Sequence, residues 1–267
     1  MADQHPLVSI ITIVFNSASH LEKSIQSVLS QTYPYSEYII IDGGSTDGSV
    51  DIIKKYESRL AYWVSEEDKG ISDAFNKGIA RAKGEIVGII NADDWYEKDA
   101  IEKVITHARD VDIVYGDLRL WKNGERDFIV KGSDTYLPME MTVNHPTVFV
   151  RRNCYQKFGL FDEKYKCAMD YELMLRFKFN ECRFGYVPSV LSNMNWGGWS
   201  DAEWILGCRE TLAIKNKYLP HRRIRNLLYF YKQVLAIALP KFLARFKLGF
   251  ITRFYRSQFS KVKKVYE

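Results

Sequence analysis

Cysteine is scarce and scattered in this chain of 267 residues: Cys154, Cys167, Cys182 and Cys208, with no CxxC pair. That spacing builds neither a zinc site nor a disulfide framework, and a reducing cytosol is the expected compartment. Seven prolines and sixteen glycines are too few for a collagenous or low-complexity chain. The apolar run from Leu7 to Phe15 is too short to span a bilayer, and no basic segment precedes it. Neither a secretion signal nor an ordinary transmembrane helix is therefore expected. GxGxxG and the GKS or GKT of a P-loop are both missing, which disfavours two common nucleotide-binding loops.

What is present is ordinary globular material, 46% hydrophobic and 27% charged, long enough for a sizeable core. The net charge of +5 conceals a division. Residues 218–267 hold twelve Lys/Arg and one acid, a net of +11, which leaves −6 for the rest.

Hydrophobic patterning alternates between strand and helix. "LVSIITIVF", "EYIIID", "LAYWV", "EIVGII" and "DIVYGD" are strand-like, the most apolar of them as in strands covered on both faces. Between them Leu21, Ile25, Val28 and Leu29 recur at helical spacing, Val50 and Ile53 mark a second helix, and further helices span about 71–82 and 100–108. This predicts an α/β fold with a mixed, mostly parallel sheet and helices on both faces. From 118 to 150 shorter strands with turns such as "KNGE" suggest a mixed or antiparallel region. A helix at "DYELMLRFKF", a strand near "RFGYV", a loop "NWGGWSD" and a helix over about 202–217 follow.

In such sheets ligands bind beyond the carboxyl ends of the strands. Asn16, Asp42, Asn91, Asp93 and Asp94 fall at those ends. Adjacent carboxylates such as Asp93 and Asp94 are costly unless solvated, used as a helix cap or neutralised by a cation. A hard divalent ion would share them with phosphate oxygens. Asp42 either organises the following turn or accepts hydrogen bonds from a nucleoside. Asp170 opens a helix, where an Asp is commonly an N-cap.

Five segments, "VSIITIVFN", "EYIIIDGGSTDGS", "SEEDKGISDAFNKGI", "GEIVGIINADDWY" and "CAMDYELMLRF", occur in the order and spacing of the inverting family-2 glycosyltransferases. The resemblance covers about residues 7–217 and looks closest to bacterial members of surface-polysaccharide, capsule and O-antigen assembly. It implies the GT-A fold, a nucleotide-sugar donor, with UDP as the expected nucleotide, and a divalent cation, Mn²⁺ or Mg²⁺. Phe15 stands where the family has Tyr beside the uracil, followed by the family's Asn at Asn16. Asp42 matches the acid that contacts uracil or ribose, Asp73 a second nucleotide-side position, and Lys69 is placed to reach the phosphates. The family's DxD reads Asn91-Ala92-Asp93: Asp93 matches the metal-coordinating acid, Asp94 lies beside it, and Asn91 can accept a ribose hydrogen bond without charge. Asp170 matches the catalytic base, with Met169 in place of the preceding Glu; Glu172 is the nearby alternative, though read first as a solvated or structural acid. His145 is expected to be structural, an acceptor contact being the alternative. Trp196 and Trp199 either stack on sugars or cover the core. The Q-x-x-R-W signature of processive synthases is absent, which favours transfer of one sugar per encounter.

The resemblance divides the chain into a transferase domain at 1–217, with a nucleotide-sugar half to about 117 and an acceptor half from 118, and a tail at 218–267. In the tail two helical patterns meet at Pro240: Ile224, Leu227, Leu228, Tyr231 and Leu235 form one stripe, and Leu243, Phe246, Phe250 and Phe254 another. Lys and Arg between apolar stripes suit an anionic membrane surface better than nucleic acid. Packing on the body or in a homo-oligomer is the alternative. A glycan or polyprenyl-diphosphate-linked acceptor, handled at the inner face of the cytoplasmic membrane, fits this reading. Two competing classes are a nucleotidyltransferase and a carbohydrate-binding scaffold with a degenerate site, the latter prompted by Asn91 and Met169.

Overall fold

A computed structural model describes residues 5–122, 124–195, 203–245 and the pair Lys264–Val265. Its N-terminal half is built on four parallel strands, β1 (Val8–Val14), β2 (Ser36–Asp42), β3 (Tyr62–Ser65) and β4 (Ile86–Asn91), in the spatial order β3-β2-β1-β4. Alternation along these strands sorts side chains onto two faces. Ile10, Tyr38 and Ile40 meet helix α1 (Ala18–Leu29) through Leu21, Ile25 and Val28, with Ile53 of α2 (Ser49–Lys55). Ile11, Ile39 and Ile41 meet α3 (Ile71–Arg81) through Ala74, Phe75 and Ile79 on the other face.

After β4 come the short β5 (Trp95–Tyr96) and α4 (Ala100–His107), and the chain turns to antiparallel pairing. β6 (Ile113–Lys122) and β7 (Glu125–Val130) form the hairpin expected at "KNGE", and β8 (Phe149–Arg151) bridges β6 to β4, antiparallel to both. β9 (Phe184–Asn195) returns parallel to β6 and carries β5 on its other side. β10 (Lys264–Val265) edges β7. The strand expected near "RFGYV" thus runs on to Asn195. Its register breaks between the Tyr115–Tyr186 and Asp117–Val190 pairs, where Pro188 has no N–H to donate and the ladder bulges around it.

Helices α5 (Arg152–Phe158) and α6 (Met169–Phe179) join α3 on one face, with Leu173, Met174, Leu175 and Phe177 buried. α7 (Trp204–Tyr218) lies against α6, and Ile214 enters the same core. α8 (Arg223–Arg245) packs on α7, and it corrects the expected division at Pro240 by continuing through that residue. Proline removes its own N–H, but its fixed φ is helical, so the helix can continue with one hydrogen bond fewer. Trp196, Trp199, Phe246, Phe250 and Phe254 lie outside the described residues.

Candidate functional site at the carboxyl edge of the sheet

The register aligns the polar strand ends. Val14 pairs with Asp42, Asp42 with Ser65, and Ile13 with Asn91, so the exits of β1 to β4 share one edge. Asp42 is fully buried there. Its Oδ2 accepts hydrogen bonds from the Gly44 N–H (3.1 Å), the Ser45 N–H (2.9 Å) and the Ser65 hydroxyl (2.7 Å), and its Oδ1 accepts one from the Ser45 hydroxyl (2.5 Å). The carboxylate thus shapes the turn between β2 and α2. Asn16 binds that turn from the other side: its N–H donates to Ser45 Oγ (2.8 Å), and its Oδ1 accepts from the Thr46 N–H (2.9 Å). Its φ of 47° lies in the left-handed region, which Asn tolerates.

Beside this turn Phe15 is 64% exposed. A Cβ at Gly43 would fall 2.3 Å from Asp68 Oδ2 and 3.4 Å from the Phe15 ring, so with glycine here the Asp68 carboxylate closes over the strand end beside the ring, and any larger residue would push that carboxylate aside. The result is an open aromatic ring with a carboxylate at hand. Asp68 escaped the sequence reading; its signal is its place in "SEEDKG", directly before Lys69. Asp68 Oδ1 accepts the Gly70 N–H (2.8 Å) and Asp73 Oδ2 the Lys69 N–H (2.9 Å), which shapes the turn into α3 and leaves the Lys69 residue exposed. Lys77 lies 3.4 Å from Asp73 and 2.9 Å from Glu66; the Lys69 N–H, then Lys77, hold the Asp73 carboxyl below its usual range.

At the end of β4 the acids separate. Asp93 is half-buried, with its carbonyl held by the Asn195 amide of β9 (3.2 Å). Asp94 is 1% exposed. Asp94 Oδ2 accepts from the Asn91 amide (3.3 Å), while its Oδ1 has no partner. Burial first, and then the Asp93 charge, push the Asp94 carboxyl well above the usual range.

Asp170 is half-buried at the start of α6, and its Oδ1 accepts the Tyr171 N–H (2.7 Å). Burial raises its carboxyl, opposed by His145; the His145 ring is itself lowered by burial and raised by Asp170. His145 packs between Phe75 of α3 (5.4 Å between centroids) and Phe161 (6.0 Å). α3 is tied to the loop before α6 through Ser72 to the Tyr165 carbonyl (3.3 Å) and through Asn76 to both backbone groups of Phe161. His145 and the loop leading to Asp170 are thus both held by α3, which starts at the carboxyl edge of the sheet. Arg151, beside this segment in sequence, instead pairs with Glu85 and the carbonyls of Val111 and Ala108.

The profile of glycosyl transferase family 2 matches residues 9–184. The chain belongs to this family. A putative teichuronic acid biosynthesis glycosyltransferase, TuaG of Bacillus subtilis, is 41% identical over 106 residues, 39% of this chain and 42% of that protein. A PGL/p-HBAD biosynthesis glycosyltransferase of Mycobacterium tuberculosis is 29% identical over 205 residues, 73% of this chain and 80% of that one. The match spans less than two thirds of TuaG and of an uncharacterized glycosyltransferase of Rickettsia typhi (58%). Among solved structures, S. aureus TarS 1-349 has a TM-score of 0.61 at 17% identity, covering 86% of this chain and 72% of that one. The mannosyltransferase PcManGT of Pyrobaculum calidifontis, in complex with GDP-Man and Mn²⁺, has a TM-score of 0.65 at 19% identity, covering 96% and 76%. At such identities the likeness speaks for the fold, which is the GT-A fold of family 2.

Among the described residues no three His, Cys, Asp or Glu side chains cluster as a protein metal cage would. The donor set fits a different arrangement. Asp93 is reachable, Asp94 behind it keeps an unpartnered oxygen, and a hard ion needs only one or two carboxylates when phosphates and water complete its shell. Glu172 sits apart from this chemistry: 1% exposed, it pairs with Arg176 (2.6 Å) and Lys217 (2.8 Å) and accepts the Tyr218 hydroxyl (2.5 Å).

Proposed function

We propose that the protein is an inverting glycosyltransferase. It moves one sugar from a nucleotide diphosphate sugar, with UDP as the nucleotide, to a hydroxyl of a glycan or polyprenyl-diphosphate-linked acceptor in surface-polysaccharide assembly. The observation that carries this reading is the Asp170 carboxyl, half-buried, raised by burial and set against His145. A carboxyl in that condition is a better base than a solvated one, because its affinity for a proton is greater. Asp170 takes the proton of the acceptor hydroxyl, whose oxygen attacks the anomeric carbon opposite the diphosphate, and configuration inverts. Phe15 stacks on the base, while Asp42 and Asn16 hold the turn next to it; Asp68 and Asp73 border the same edge, Asn91 serves the ribose, and Lys69 approaches the phosphates. Asp93, backed by Asp94, would hold Mn²⁺ or Mg²⁺, which when bound neutralises charge on the leaving diphosphate.

Support for the donor comes from fold relatives crystallised with UDP-GlcNAc (TarS) and with GDP-Man and Mn²⁺ (PcManGT). Support for the pathway class comes from relatives named for teichuronic acid and PGL/p-HBAD biosynthesis. We place the work at the inner face of the cytoplasmic membrane, with residues 1–217 as the transferase and 218–267 as the part that meets the lipid. Nucleotide release from UDP-GlcNAc and GDP-Man with Mn²⁺ tests the reaction. Asp170→Asn is expected to abolish transfer while nucleotide binding, read by calorimetry, stays near wild type; wild-type turnover in that variant removes Asp170 from the role.

A further inference from the structure

The loop that delivers Asp170 is held by a carboxylate from a distant element. Glu210 of α7 is 9% exposed. Its Oε1 accepts the Lys166 N–H (2.8 Å), and its Oε2 accepts the N–H groups of Cys167 (2.8 Å) and Ala168 (2.9 Å). Three consecutive backbone donors directly before α6 thus converge on one side chain, and Ala168 is the N-cap of the helix whose second residue is Asp170. Charge-assisted bonds of this kind are the strong ones, and a buried carboxylate cannot give them up to water cheaply.

We propose that Glu210 is a positioning residue for transfer: by clamping the backbone at 166–168 it sets the Asp170 carboxyl against His145. The inference rests on Asp170 being the base. Simple packing of α7 on α6 would need only apolar contact; a carboxylate aimed at three amides fixes the approach of the chain in both direction and height. The same charge has a second effect. Asp170 occupies the first turn of α6, where a helix N-terminus stabilises an anion. Glu210 places a negative charge at that end and opposes the stabilisation, in the direction that keeps Asp170 able to accept a proton. Among the described residues, the ionisable groups acting on Asp170 are His145, from the 3-10 turn His145–Thr147, and Glu210, from α7. Glu172 is turned to Arg176 and Lys217 instead.

The test uses the full chain with selectively labelled amides. In Glu210→Gln the 166–168 amides should exchange with solvent at least about tenfold faster. The kcat of nucleotide release from a turned-over donor should fall by roughly tenfold or more, with the donor KM near wild type. Glu210→Asp keeps the charge but shortens the arm: its amides should also exchange faster, and its kcat should fall with the donor KM unchanged. A purely structural residue would loosen the amides in both variants without moving kcat in either. Wild-type kcat in a Glu210→Gln variant whose 166–168 amides have loosened overturns the proposal. If that variant does not fold, unchanged exchange at 166–168 in Glu210→Asp overturns it. Failure of the base assignment is read separately, as turnover surviving Asp170→Asn.

Discussion

A carboxyl that takes a proton from a sugar hydroxyl must be ionised when the acceptor arrives and still hold the proton well once it has it. Burial moves the Asp170 carboxyl toward that compromise, with His145 restraining the shift. Because the protonated form cannot accept a proton, activity should fall on the acid side at a pH above the ordinary Asp value of 3.8. A kcat–pH profile reads this, and an acid limb at the ordinary Asp position would contradict it. Phe15 makes a different kind of contribution. Its exposed ring has little to pack against, so removing it should cost the fold little and nucleotide affinity more. Base–aromatic stacking is worth about 1–3 kcal/mol, so Phe15→Ala should weaken UDP binding about tenfold, with Phe15→Tyr close to wild type, by calorimetry. The roles proposed for Phe15, Asp93 and Asp170 come from the sequence, because each sits in a local motif. Those of Asp68 and Glu210 do not, because what defines them is a partner brought near by the fold: the Gly43 backbone for one, the 166–168 amides for the other.

At the scale of elements, α6 is fixed to α7 at two levels. Glu210 holds the approach to its start, and Glu172 binds Lys217 and Tyr218 from its first turn while pairing with Arg176 along its own length. Burial alone would raise the Glu172 carboxyl; Arg176, Lys217 and Tyr218 outweigh it and hold the group below its usual value. The linkage follows from that sign. Glu172 contributes stability above the ordinary Glu value of 4.5, and the contribution is lost as pH falls through the lower folded value. Glu172→Gln leaves the half-buried Arg176 and the exposed Lys217 without their anion and should cost about 1–3 kcal/mol in urea unfolding at neutral pH, with a smaller deficit in acid. Strand and helix order was readable because the apolar runs are long and periodic. β9 was read short because Pro188 and the polar residues after it disguise a strand that bulges and continues, and α8 because Pro240 looks like a stop.

For the whole molecule, the unequal charge acquires a geometry in α8. One side is fixed to the body: Asn226 is buried on Asn216 and the Leu219 carbonyl, and Tyr229 donates to Glu140 (3.0 Å) with Lys215 over its ring. Ile224, Leu228, Tyr231, Leu235, Leu239 and Phe242, spaced by three or four, are all exposed, Ile224 by 80%. They make a stripe of about 27 Å, and Arg222, Arg223, Arg225 and Lys232 lie on or near it in sequence. Among the described residues no helix is long and apolar enough to cross a membrane. On the proposed reading, the stripe with its basic neighbours is the surface that meets lipid, as in an interfacial helix. Co-sedimentation with vesicles containing anionic phosphatidylglycerol should retain the protein, and salt should weaken the binding. Leu228→Glu with Leu235→Glu should release it while nucleotide binding persists. Equal partitioning of wild type and variant would leave the stripe to another copy of the chain, which light scattering would register as a dimer lost in the variant.

The clamp between α7 and α6 also bears on how such enzymes can be recombined. The family profile ends at residue 184, ahead of α7, and that point invites fusion of the matched segment to a foreign C-terminal part. A chimera joined there would carry Asp170 on a helix whose approach loop presents three amides to a carboxylate that the new partner does not supply. Strands β1 to β4 would be inherited intact, and the anchor of the loop before Asp170 would not. A graft that keeps α7 with α6, and exchanges only what lies between β9 and α7 or beyond Tyr218, would leave that anchor in place.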